Sequence, residues 1–165
     1  LSQLKFLNRI TTIMEFPSDA RKFSLQGSHK ARVVSLHDGD TLTCIIGFEN
    51  SFYKFPIRID GIDTCEMTSK DPVARGKAFM ARHRLFELIT CDLTVDTITW
   101  RKRDFDSYFQ KNYTVVTLDC KEMDKYGRVL ATIDNFGELL IKEGLAFKYD
   151  GGRKFTEDEQ VATFA

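Results

Sequence analysis

Residues 55–66, FPIRIDGIDTCE, begin as an alternating strand and end in a tight acidic turn. Period-two geometry turns Ile57 and Ile59 to one face and Arg58 and Asp60 to the other. Asp60, Asp63 and Glu66 then stand at or just past the strand's end, so a permanent cation sits beside a cluster of carboxylates. Outward from this stretch, Asp38-Gly39-Asp40-Thr41 precedes it and Asp124-Lys125-Tyr126-Gly127-Arg128 follows it.

The segments around it predict the fold. Residues 31–36 and 41–46 read as strands joined at Asp38-Gly39-Asp40, where glycine is expected to permit a tight turn. A second turn at Glu49-Asn50 leads to the strand 52–60, giving a three-stranded antiparallel meander. Hairpin chemistry accounts for Asp38 and Gly39, and less well for Asp40. Asp71-Pro72 supplies a cap and a first-turn proline for a helix from 73 to about 89. Its buried stripe is predicted as Ala74, Ala78, Ala81, Leu85 and Leu88 or Ile89, with Arg75, Lys77, Arg82 and Arg84 facing solvent.

Residues 93–99 alternate and predict a strand, followed by Trp100 and the basic run Arg101-Lys102-Arg103 in a surface hairpin or loop. The alternative use of that run, with Trp100, Tyr108 and Phe109, is to stack and hold a nucleic-acid strand. Strands are predicted at 113–119 and 129–133 around the Lys125–Arg128 turn, then a short helix at 138–144. Residues 2–14 space Leu4, Leu7, Ile10 and Ile13 as an amphipathic helix, expected to pack on the domain or to contact a membrane or a protein. The fold class is mainly β with helices, α+β: a five-stranded antiparallel OB-type barrel with an inter-strand helix and an added N-terminal helix. The expected division is 1–29 helical extension, 30–150 barrel domain with an insertion at about 91–112, and 151–165 tail.

Composition excludes little but narrows the chemistry. The chain has 24 basic and 24 acidic residues, so any contact with nucleic acid depends on local charge rather than net charge. Its four cysteines form no Cys-x-x-Cys pair and its three histidines lack zinc-ligand spacing. Cysteines in or beside strands are expected as free buried thiols in a reducing compartment. Beginning on leucine, the sequence is expected to be a fragment or a processed product.

Where strands of such a barrel end, Asp40, Arg58, Asp63, Glu66 and Arg128 can meet. Asp40 and Asp63 with the Thr64 carbonyl and water form an all-oxygen set suited to calcium or another hard divalent cation. Arg58 and Arg128 can each give paired donors to a phosphate and stabilise charge in a phosphoryl transition state. Glu66 can orient or deprotonate the attacking water. Taken singly, each residue reads first as a turn former or a surface salt-bridge partner; the combination describes metal-assisted phosphodiester hydrolysis.

These motifs, with Gly144-Leu145-Ala146, resemble the staphylococcal nuclease, or thermonuclease-like, family over roughly residues 30–150. The resemblance implies a calcium-dependent endonuclease acting on DNA and RNA with little sequence preference and leaving 3′-phosphate ends. It implies Asp40, Asp63 and Thr64 as metal ligands, Arg58 and Arg128 as phosphate-binding arginines, and Glu66 as base or water organiser. It further implies Tyr126 and Tyr149 beside the bound nucleotide. No stable partner is evident, and a monomer is expected. The chain departs from the family at Cys65, where proline is common, in the added residues 91–112, in a curtailed C-terminal helix, and in its neutral charge. The alternative is a catalytically inactive OB-fold module that binds nucleic acid or a protein.

Overall fold

The structure is a computed structural model and describes residues 17–164. The predicted helix at 2–14 lies outside the described residues. In chain order the elements are β1 (Gly27–Leu36), β2 (Thr41–Phe48), β3 (Ser51–Ile59), β4 (Ile62–Asp63), α1 (Pro72–Thr90), α2 (Lys102–Lys111), β5 (Val115–Met123), β6 (Val129–Thr132), α3 (Phe136–Lys142), β7 (Phe147–Lys148) and α4 (Glu157–Thr163).

Five strands close into an OB-type barrel in the order β1-β2-β3-β6-β5, with β5 pairing back onto β1. The β2–β3 hairpin turns through Glu49 and Asn50, both at positive φ, as a two-residue turn between right-twisted strands requires. Strand β3 runs parallel to β6, so the barrel is mixed rather than wholly antiparallel as expected. Two helices and the strands β4 and β5 lie between those strands in sequence, which gives the chain the length to return in the same sense. Inward alternation of Val33, Leu42, Cys44, Ile57, Leu118 and Val129 fills the interior, each fully buried.

Helix α1 starts as the sequence indicates, with the Asp71 side chain accepting from the backbone of Val73 and Ala74 and Pro72 opening the first turn. Its Ala74, Ala78, Ala81, Leu85 and Ile89 are buried against the barrel and the tail. Small residues let it come close. A Cβ on Gly39 would lie 2.6 Å from the Ala81 Cβ and 2.9 Å from Thr64 Cγ2. Gly39 is therefore required for space beneath α1 and is not among the positive-φ residues, contrary to the tight-turn reason given above.

Three expectations for 73–112 fail for one reason: the insertion folds back over α1. Residues 93–99 form no strand, because Asp92 and Asp96 accept from the backbone of Thr94 and Ile98 in local turns. Thr97 is buried, and its hydroxyl bonds His83 of α1 at 3.0 Å. The basic run begins α2, a helix rather than a hairpin, whose Phe105 and Phe109 are fully buried. Trp100, Phe105, Tyr108 and Phe109 surround the Phe86 ring at 4.9–6.1 Å between centroids. These aromatics pack the insertion and are not presented for stacking. Arg82, expected at the surface, is buried with its Nη2 donating to the Trp100 carbonyl at 2.8 Å and its guanidinium over the Phe105 ring.

Beyond the barrel, β4 and β7 pair as a separate two-stranded ribbon, Asp63 opposite Phe147. This ribbon ties the acidic turn to the chain leaving α3. The tail then packs α4 on α1, with Val161 and Phe164 against Cys65, Ala74, Ala78 and Phe147. Cys44, Cys65 and Cys120 are free buried thiols and Cys91 is a free exposed one.

Candidate functional site

Arg58 lies near the end of β3, opposite Thr41 of β2, on the face where alternation points outward. It is nevertheless only 5% exposed, and Ile57, Arg58 and Ile59 are buried in succession. The chain reverses at Gly61, whose φ of +80° few other residues adopt, and β4 returns across the arginine. The Ile62 carbonyl and the Asp63 carboxylate thereby meet the guanidinium.

Arg58 Nη2 donates to Asp63 Oδ1 at 2.7 Å and to the Ile62 carbonyl at 3.0 Å. Its Nη1 pairs with Asp40 Oδ1. Asp40 stands just before β2, and its two oxygens also accept from Thr41 Oγ1 at 3.0 Å, Thr64 N at 2.9 Å and Thr64 Oγ1 at 3.0 Å. A carboxylate has about four lone-pair sites, so Asp40 is saturated. The cluster is buried: Asp40, Asp63 and Thr64 are each 4% exposed. Next to it, Asp38 Oδ1 accepts from the Asp40 amide. Burial pushes the Asp38 carboxyl up, while the Arg58 charge and a Thr41 hydrogen bond pull it back.

Arg128 reaches the same neighbourhood from the turn before β6. Asp124 builds that turn by accepting from the Tyr126 and Arg128 amides, each at 2.9 Å, and holds Arg128 Nε at 2.7 Å. Burial opposes ionisation of Asp124, but these hydrogen bonds prevail and keep its carboxyl below the usual range. The two Nη groups of Arg128 carry no hydrogen bond among the described residues. Arg58, Arg128, Tyr126 and Tyr149 all line one cavity of about 560 Å³. Tyr126 is 72% exposed at its mouth, and Tyr149 donates its hydroxyl to the Gly152 carbonyl at 3.0 Å.

Asp63 and Glu66 line an adjoining hollow of about 450 Å³. The Glu66 side chain is 68% exposed, free to meet water. The strand-end arrangement thus brings Arg58, Asp40, Asp63 and Thr64 into contact, sets Arg128 and both tyrosines around the neighbouring space, and leaves Glu66 at the rim. Asp60 stands outside the cluster in a surface pair with Lys121.

One residue missing from the sequence reading is central to this geometry. Lys154 lines both hollows and places its ammonium 2.8 Å from Asp63 Oδ1 and 3.6 Å from Glu66 Oε1. The only sequence signal was a basic pair, Arg153-Lys154, after two glycines.

Among the described residues, no three His, Cys, Asp or Glu side chains stand together as ligands for one metal ion. The oxygen chemistry still fits a hard cation held largely by water: Asp63 Oδ2 has no hydrogen bond among the described residues, and an ammonium already sits on Oδ1. Asp40 can join only by giving up one of its present donors. The chain matches no family model and no curated protein.

Proposed function

We propose that this OB-fold protein is a divalent-cation-dependent phosphodiesterase, an endonuclease using calcium on DNA and RNA with little sequence preference. The observation that carries the reading is the pairing of two guanidiniums, Arg58 and Arg128, around one nucleotide-sized cavity beside an acidic rim. Paired arginines facing a cavity suit a phosphodiester, whose non-bridging oxygens each accept two donors.

Arg128 offers its unbonded Nη groups to such an oxygen. Arg58 has five N–H donors, and three are engaged by Asp40, Asp63 and Ile62, which leaves two for phosphate. Asp40 and Asp63 hold Arg58 rigidly, so its charge needs no rearrangement as negative charge builds on phosphorus. Glu66, exposed beside the acids, takes the proton from the attacking water. Tyr126 and Tyr149 flank the nucleotide and limit its orientation. Asp63, the Thr64 carbonyl and Asp40 would hold calcium, which when bound supplies Lewis acidity toward a phosphoryl oxygen.

A second reading has its own observation. Asp40 is saturated and Arg58 is locked by three partners, as in a purely structural ion cluster. An inactive module would then use the Arg128–Tyr126 rim to bind nucleic acid or a protein. The two readings separate when single-stranded DNA, RNA and duplex DNA are incubated with the protein in calcium and in chelator. Calcium-dependent cleavage supports the first, and binding without turnover in several metals supports the second.

A further inference from the structure

Lys154 is held in place from both sides. Upstream, β7 pairs with β4, and its Phe147 takes the ring of Phe155, the residue after Lys154, at 5.5 Å between centroids. Downstream, Thr156 caps α4, Glu159 binds Arg153 through two contacts of 2.8 Å, and Glu157 accepts from the Asp71 amide at 2.9 Å. The backbone at Lys154 is thereby fixed over the acidic turn, while its side chain stays 50% exposed and able to swing. Its ammonium contacts Asp63, whose Oδ2 has no hydrogen bond among the described residues, and reaches toward Glu66.

We propose that Lys154 is a built-in counter-cation that competes with a divalent ion for Asp63. It rests on the calcium reading given above. Around this point three carboxylates, Asp40, Asp63 and Glu66, face two side-chain cations, Arg58 and Lys154. Arg58 is buried and bound at both ends, so it cannot leave. Lys154 is the exchangeable one. A divalent ion on the unbonded Asp63 Oδ2 and an ammonium on Oδ1 of the same carboxylate would repel one another. A divalent ion would therefore be held more tightly with the Lys154 ammonium withdrawn from Asp63, and Lys154 also lines the cavity of Arg58 and Arg128. Lys154 acts as a positioning residue: it keeps the acids neutralised and ordered without metal, sets a threshold for metal, and adds a third cation near the phosphate once metal is bound.

The test is calcium binding by titration calorimetry, using calcium chloride alone with the whole chain and with Lys154→Met and Lys154→Arg. The expected result is affinity at least about fivefold tighter for Lys154→Met, with Lys154→Arg close to the parent. Detectable binding in Lys154→Met alone also supports the proposal. Equal or weaker affinity in Lys154→Met, or a Lys154→Arg as tight as Lys154→Met, overturns the counter-cation role while leaving the calcium reading intact. No calcium binding by any of the three overturns both. Urea midpoints recorded in parallel separate a change in affinity from a change in folded fraction.

Discussion

Arg58 is the residue on which stability and chemistry meet. Its guanidinium satisfies two buried carboxylates, so removing it strands both rather than merely deleting a contact. Arg58→Met is expected to destabilise the protein by about 3–5 kcal/mol, read as a fall in the urea midpoint. A midpoint equal to the parent's would contradict the buried cluster. Loss of activity in that variant therefore says little about phosphate binding. Arg128→Ala is the cleaner probe, because that side chain is 30% exposed and carried mainly by Asp124. It is expected to slow cleavage by about 100-fold or more with an unchanged midpoint. The sequence made Arg58 visible as a strand arginine beside acids, but alternation placed it only on the face opposite Ile57 and Ile59. Its burial depends on β4 folding back through Gly61, a tertiary event with no period of its own.

Elements were legible where local chemistry agreed with global packing. Asp71-Pro72 announced α1, and Glu49-Asn50 announced the β2–β3 hairpin. The stretch 93–99 misled because Leu93, Val95 and Ile98 are set among polar residues there, while Asp92 before them and Asp96 among them accept from the Thr94 and Ile98 amides and break the ladder. The insertion's packing on Phe86 and Arg82 was likewise invisible, since α1 alone does not reveal what will cover its second face. At Gly39 the sequence pointed to the right residue for the wrong reason. Gly39→Ala is expected to cost about 1–3 kcal/mol by thermal or urea unfolding, because the Ala81 Cβ and Thr64 Cγ2 must shift. That strain falls on the segment carrying Asp40, so calcium-dependent activity should drop with it. An unstrained variant of parental stability would show that α1 does not press on the turn.

Across the whole molecule, charge and thiols set the conditions of use. On the proposed function, a neutral chain would meet nucleic acid through the Arg58–Arg128 cavity and a few nearby cations, so binding should weaken only modestly with salt. Burial pushes the Cys44 thiol up to about 12 and the Cys65 thiol to about 11, so both stay protonated at pH 8. Only the exposed Cys91 should react promptly with a thiol reagent under native conditions, and all four should react in denaturant. The same shifts carry a sign for stability. Folded-state values above the ordinary 9.0 mean that the native state retains protons the unfolded state loses. Their contribution is complete below about pH 9 and declines as pH rises toward 11 and 12, so urea midpoints should fall across that window.

On the proposed function, this arrangement hydrolyses phosphodiesters with Glu66 handling the water's proton. It is tested most directly by the cleavage rate of a single-stranded DNA oligonucleotide in calcium, compared with excess chelator and with Glu66→Gln. Expected are cleavage by the parent in calcium, none in chelator, and a fall of about 100-fold or more in Glu66→Gln with an unchanged urea midpoint, since the Glu66 side chain is 68% exposed. Cleavage indifferent to chelator, or a Glu66→Gln rate equal to the parent's, would contradict it.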